Sequence, residues 1–234
     1  MEIIKKFDED KIITKVIHLS DIHIRTGNKT ISRYVEYIDV IKKLISKLKE
    51  YEYENTIVII TGDLFHNKNT IESYGIDIFN KLIIELTNLT TVYIIRGNHD
   101  YRQDYIGDIG LIGALVQDSK YKSKNNLHFL DETGLYEIGD ILVGLVAIQD
   151  TLKEGDTSGR VEELPNFPWT NKKYKHTIAL YHGIVIEKEN SIYKEPIKIK
   201  WLENYDFGLL GDIHRQEIYN SKWNKEGYYE IKDK

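Results

Sequence analysis

At 234 residues the chain can enclose a sizeable core in one large domain, with room for a short appendage. Charged residues at 29% and hydrophobic residues at 41% exclude a disordered or fibrous chain, and a net charge of −5 excludes a protein that holds nucleic acid by bulk positive charge. With that charge any grip on phosphate must be local, with bound cations as one source of it, and with no cysteine, disulfides and thiolate metal ligands are excluded too.

Residues 1–10 mix acidic and basic side chains and lack the apolar core of a signal peptide. Residues 13–20 form a short β-branched run that stops at Asp21. An amphipathic helix is predicted over 33–50, where Ile38, Ile41, Ile45 and Leu48 recur at three- and four-residue spacing, with Thr30 or Ser32 as its cap. Residues 56–60 read as a buried strand ending at Gly62-Asp63. A second helix falls within 71–89, and a strand over 91–95 ends at Gly97. This alternation predicts parallel strands joined by right-handed crossovers, with ligand chemistry at their carboxyl ends.

The middle of the chain has a different character. Residues 105–117 read as a helix that is apolar nearly all round, with Gly107, Gly110 and Gly113 spaced for close helix approach. Three short strands within 127–148, joined by glycine-bearing turns, predict antiparallel pairing in a second sheet. Residues 149–175 lack periodicity and hold Pro165 and Pro168, which predicts a long loop. Strands return at 176–181 and 207–210, each running into a histidine. No stretch reaches the roughly 20 apolar residues that cross a bilayer, so the expectation is an intracellular protein, cytoplasmic or nuclear, with no membrane partner.

Five clusters carry the chemistry: Asp21-Ile22-His23, Gly62-Asp63-Leu64-Phe65-His66, Gly97-Asn98-His99-Asp100, His182-Gly183 and Gly211-Asp212-Ile213-His214. They contain five of the eight histidines, and each follows a predicted strand, so that one sheet edge can gather them. Imidazole, carboxylate and one amide make a ligand set for Mn, Fe or Zn rather than an all-oxygen Mg site. Gly62 and Gly97 stand where a strand turns sharply and backbones approach closely. Any one such cluster is ordinarily a turn or a cap; five in order are not. Asp100 either bonds a nearby group or caps a turn. His18, His128 and His176 lie on predicted strands outside every cluster and read as structural. Four of the six arginines, Arg25, Arg96, Arg102 and Arg215, lie within two residues of a cluster. They serve either as contacts to substrate phosphate or as neutralising partners of the carboxylates.

In this order the motifs D-x-H, G-D-x-x-[DH], G-N-H-[DE], H and G-x-x-H resemble the calcineurin-like metallophosphoesterases, over about residues 15–215. Within that superfamily the chain looks most like the Mre-eleven/SbcD nucleases of double-strand-break repair, through Gly62-Asp-Leu-Phe-His66-Asn-Lys and Gly97-Asn-His-Asp100. Protein Ser/Thr phosphatases would show an acidic residue at position 66 followed by Arg-Gly. The resemblance implies an α/β sandwich of two facing mixed β-sheets flanked by helices. It also implies two divalent cations, Mn²⁺ first with Fe²⁺ or Zn²⁺ as substitutes.

By the same resemblance Asp63 bridges the cations, Asp21, His23 and His214 complete one site, and Asn98 and His182 the other. Asp212 stands where the usual Gly-His-x-His has a histidine; it is either a direct ligand or an orienting neighbour. His99 is implied as the catalytic histidine that is not a ligand, with His66 orienting it or meeting the nucleic acid. The expected activity is DNA hydrolysis, exonucleolytic on duplex ends and endonucleolytic on single strands. Two other readings stand beside it: a stand-alone phosphodiesterase or phosphatase on a small nucleotide or lipid-linked substrate, and a non-catalytic scaffold. Expected partners are DNA, an SbcC-type SMC-like ATPase and a second copy of the chain through the 105–117 helix. The expected organisation is a catalytic domain over 1–215 and a short strand extension over 216–234, with the capping domain absent or truncated.

Overall fold

The computed structural model describes residues 3–25, 30–51, 53–67, 71–100, 110–116, 126–151, 174–183, 185–186, 197–198, 202, 205–212 and 214. In chain order the elements are β1 (Ile3–Phe7), β2 (Lys15–Leu19), α1 (Thr30–Leu48), β3 (Thr56–Thr61), α2 (Ser73–Thr87), β4 (Thr91–Ile95) and α3 (Gly110–Val116). Then follow β5 (Leu127–Phe129), β6 (Gly134–Ile138), β7 (Ile141–Val146), a single turn α4 (Ile148–Thr151), β8 (His176–His182), β9 (Val185–Ile186), β10 (Ile197–Lys198) and β11 (Phe207–Gly211).

Two main sheets carry the architecture, a four-stranded one in the order β2-β3-β4-β5 and a five-stranded one in the order β1-β6-β7-β8-β11; β9 and β10 form a separate pair. The four-stranded sheet is parallel throughout, and the five-stranded sheet is mixed, with β6 and β7 antiparallel. The expected α/β sandwich is therefore present, with one sheet parallel where two mixed sheets were expected.

Strand β3 shows why the sheets stack. Successive side chains point to opposite faces. Ile57 and Ile59 enter the core between the sheets, meeting Val143, Leu145, Ile178 and Leu180. Val58 and Ile60 enter the opposite core with Ile41, Ile45 and Leu48 of α1 and Ile78, Leu82 and Leu86 of α2. A strand buried on both faces reads as the continuous apolar run seen at 56–61. Each such side chain, fully buried, stabilises the fold by about 1.5–3 kcal/mol relative to exposure.

One expectation needs correction, and one strand carried no signal. Strand β5 does not join the second sheet. It pairs in parallel with β4, Val92 against Leu127. Leu127 and Phe129 pack in the core beneath α1 and α2, while His128 turns the other way onto Phe7 and Tyr93. Strand β1 had no sequence signal, because Lys5 and Lys6 break its apolar pattern. It lies at a sheet edge beside β6, where charged residues are the usual protection of an open edge.

Helix α3 covers 110–116 of the predicted 105–117; residues 101–109 and 117 lie outside the described residues, as do most of the predicted loop and all of 215–234. No helix among the described residues is long and apolar enough to cross a membrane.

Candidate metal centre

The predicted cluster positions all fall at carboxyl ends of strands, but of two sheets. Asp21, Asp63 and Asn98 follow β2, β3 and β4 of the four-stranded sheet, whereas His182 ends β8 and Asp212 follows β11 of the five-stranded one. One sheet edge does not gather them. The centre sits where two edges meet, because β3 packs across the interface against β8 and β11.

Backbone bonds hold the loops together. His23 and Ile24 donate to the carbonyls of Asp63 and Leu64, at 2.9 and 2.8 Å, and His66 donates back to Ile24 at 3.2 Å. The buried carboxylate of Asp100 accepts N–H bonds from Asp63 at 2.7 Å, Gly97 at 3.0 Å and Phe65 at 3.4 Å, so it does far more than cap a turn. Burial and the neighbouring charge of Asp63 push Asp100 up to about 7 against the opposing Gly97 N–H. Gly62 has φ +84, and a Cβ there would overlap the backbone of Gly97; a Cβ on Gly97 would overlap Asp63. Among the described residues, non-glycine residues with positive φ are Asp8, Asp21, His23, Asp63 and Asp212. All but Asp8 are candidate ligands. Each costs on the order of 1–3 kcal/mol, strain that collects at functional sites.

Two groups of side chains form around one shared carboxylate. Asp21, His23, Asp63 and His214 offer ligand atoms that all lie within 4.8 Å of one another, and so do Asp63, His182 and Asp212. In the first group His23 Nε2 is 2.9 Å from His214 Nε2 and 3.5 Å from Asp63 Oδ2. In the second, His182 Nε2 is 3.3 Å from Asp63 Oδ1 and 3.9 Å from Asp212 Oδ1. Asn98 joins it by donating from its amide to Asp212 Oδ1 at 2.7 Å, and the backbone N–H of Asp212 reaches the Asp21 carboxylate at 3.1 Å.

The donor set fits a pair of divalent cations. Asp63 Oδ2 and His182 Nε2 are buried without a hydrogen bond, an arrangement that a cation satisfies. His182 is also oriented as ligating histidines are: Nδ1 donates to the Thr61 carbonyl at 2.6 Å, which leaves Nε2 to face Asp63. Burial raises the pKa of Asp63, but His182 and the His99 N–H more than offset it and hold the carboxyl below its usual range. Burial likewise lowers His182, and Asp63 and the Thr61 carbonyl outweigh it, raising the imidazole to about 9. The two shifts are one interaction seen from both sides: the Asp63 carboxylate and the His182 imidazole stabilise each other's charged form.

His66 and His99 stand beside these groups. Their rings stack at 5.5 Å, and His99 Nδ1 donates to the His66 carbonyl at 2.5 Å while its N–H donates to Asp63 Oδ1 at 2.9 Å. Arg25 is exposed, and its charge helps lower the pKa of His66, after burial and together with His99. Arg96 is buried, its guanidinium 3.8 Å from Asp131 and over the Phe129 ring, so its contacts are a neutralising carboxylate and a packing partner. Arg102 and Arg215 lie outside the described residues. His18 bonds Thr61, His128 packs on Phe7 and Tyr93, and His176 lies by Phe207, all in strand packing.

Sequence reasoning missed Tyr37 and Thr61. The Tyr37 hydroxyl, from α1, donates to the His23 carbonyl at 2.7 Å and accepts from the Arg25 N–H at 3.1 Å. Thr61 receives Ser20 and His182 on its carbonyl and meets His18 with its hydroxyl. Neither carries a motif, and only the packing of helix on loop and strand on strand reveals them.

A metal-dependent phosphoesterase centre is what this fold and this donor set define. The chain matches the calcineurin-like phosphoesterase family over residues 14–226 and belongs to it. It is 30% identical over 226 residues to uncharacterized protein R555 of Acanthamoeba polyphaga mimivirus; the match covers 93% of this chain and 16% of that much longer protein. Among solved structures it aligns with a cold-active protein-tyrosine phosphatase of a psychrophilic Shewanella species at TM-score 0.33 and 13% identity, over 83% of this chain and 73% of that one. A mutant cold-active protein tyrosine phosphatase aligns at TM-score 0.27 and 17% identity, over 58% and 43% of the two chains.

Proposed function

We propose that this metallophosphoesterase domain is a Mn²⁺-dependent DNA nuclease, cutting duplex ends exonucleolytically and single strands endonucleolytically in repair or recombination. Asp63, common to both groups, would hold both cations, with Asp21, His23 and His214 holding one and Asn98, His182 and Asp212 the other. The bound pair supplies polarisation of the phosphoryl group and a nucleophile at neutral pH. His99 is the proton carrier: with Nδ1 held by the His66 carbonyl, Nε2 is the atom that serves the leaving oxygen. The observation that carries the nuclease reading is the His66–His99 stack, outside both carboxylate groups, with histidine where a Ser/Thr phosphatase has an acid. Exposed Arg25 beside His66 supplies local positive charge for phosphate in an otherwise acidic chain.

On this reading the partners are DNA, an SbcC-type ATPase and a second copy of the chain. Self-association rests on the resemblance alone, since Leu111, Leu115 and Val116 of helix α3 pack against the chain's own core and Gly110 has a reason within the chain, φ +65 and close approach to the Asp100 carbonyl. The deciding experiment incubates labelled duplex and single-stranded DNA with Mn²⁺ or Mg²⁺, beside bis-p-nitrophenyl phosphate. DNA cleavage with Mn²⁺ that EDTA abolishes is expected. Turnover of the small diester with no DNA cleavage under any cation would replace the nuclease with a small-molecule phosphodiesterase.

A further inference from the structure

A third group of potential ligands stands apart in chemistry from the two built on Asp63. His23, His66 and His99 each offer a nitrogen, and these all lie within 4.8 Å of one another. His66 and His99 stack at an interplanar angle of 20°, and His23 stands nearly perpendicular to both, at 73° and 87°, with ring centroids 5.6 and 4.9 Å away. The three rings thus make a three-sided box; the group contains no carboxylate of its own, and Asp63 Oδ2 reaches its His23 side at 3.5 Å. Because His99 Nδ1 must donate to the His66 carbonyl, its Nε2 is left with the lone pair. Nδ1 of His66 and Nδ1 of His23 are both buried without a hydrogen-bond partner. Structural histidines are ordinarily tied at a ring nitrogen, so buried nitrogens without bonds call for an explanation.

We propose that His23, His66 and His99 form an all-imidazole position that binds Zn²⁺ and silences the enzyme. Three neutral imidazoles with an open fourth place are a zinc ligand set, whereas Mn²⁺ and Mg²⁺ favour the oxygen-rich groups around Asp63. Zinc there occupies the His99 nitrogen that the proposed reaction needs for proton transfer. It also engages His23, which belongs to the Asp21–Asp63–His214 group, so filling the triad weakens that group as well. The inhibitory consequence rests on the phosphoesterase reading above; the binding itself does not.

The test needs no substrate. Full-length protein labelled with ¹³C at histidine Cε1 is stripped of metal, saturated with Mg²⁺ and titrated with ZnCl₂, following the imidazole cross-peaks of wild type and His66→Asn. The first zinc equivalent is expected to move His23, His66 and His99. Losing a direct ligand in His66→Asn should weaken that equivalent at least as much as loss of an outer partner does, by roughly 10–100-fold. Mn²⁺ binding by the variant, read by electron paramagnetic resonance, should stay near wild type, because His66 is in neither carboxylate group. Zinc that first moves His182 and His214 and leaves His66 and His99 in place overturns the proposal, as does equal zinc affinity in the two proteins. Absence of hydrolysis of both DNA and bis-p-nitrophenyl phosphate in the cleavage assay above would instead sink the functional reading and leave the zinc result standing.

Discussion

One carboxylate oxygen, Oδ2 of Asp100, accepts the backbone N–H of Asp63 at 2.7 Å and that of Gly97 at 3.0 Å, joining the second and third motif loops from beneath. Asp63 itself has φ +53, so its carboxylate is presented from a strained backbone that Asp100 holds in place. Asp100→Ala leaves these donors buried and unpaired, at about 1–3 kcal/mol for each, and should lower stability by about 2–5 kcal/mol. Asp100→Asn keeps one acceptor oxygen and should lose less. Urea unfolding checks both; equal stability of Asp100→Ala and wild type would contradict this role.

His99→Ala should retain both cations and lose activity by roughly 10²–10⁴-fold, the range for removal of a general acid or base. His99 stands outside both groups that share Asp63, and its ring nitrogen Nδ1 is committed to the His66 carbonyl. Metal content by plasma mass spectrometry after loading with Mn²⁺ alone separates the alternatives, since a variant short of one of the two Mn²⁺ makes His99 a ligand of the catalytic pair.

Asp212 stands where the family pattern has histidine. Its Oδ1 accepts the Asn98 amide at 2.7 Å, and it falls in one group with Asp63 and His182. A carboxylate there makes the position harder and more anionic, favouring Mn²⁺ over Zn²⁺ by ligand type. Asp212→Ala should bind one cation instead of two, and Asp212→His two with a shift toward Zn²⁺. Two cations retained at unchanged affinity by Asp212→Ala would show that Asp212 is not a ligand.

Tyr37→Phe removes one hydroxyl that bonds His23 and Arg25 together. The net stability change should be small, about 1 kcal/mol. His23 has φ +46, and without the clamp its loop should relax, weakening cation binding by the roughly 10–100-fold typical of lost outer-shell support. Isothermal titration with MnCl₂ reads this directly, and wild-type affinity in the variant would reduce Tyr37 to a packing residue.

Much of this protein is legible in its residues taken alone. The β-branched runs at 56–60 and 91–95 announce buried strands because a strand covered on both faces has no polar side to show. The motif residues that follow are legible for a related reason: ligand chemistry demands particular side chains at strand ends, whatever else the chain does. Pairing between distant segments decides the rest. Nothing in Leu127–Phe129 says that it joins β4 rather than β6, and nothing local shows that Asp63 and His182 come from different sheets to face each other at 3.3 Å. Arg96 and Asp100 are near neighbours beside the same glycine, yet one turns to Asp131 and the other under Asp63. Residue type sets which bonds a group can make; tertiary packing alone decides which partner lies within about 3 Å to make them.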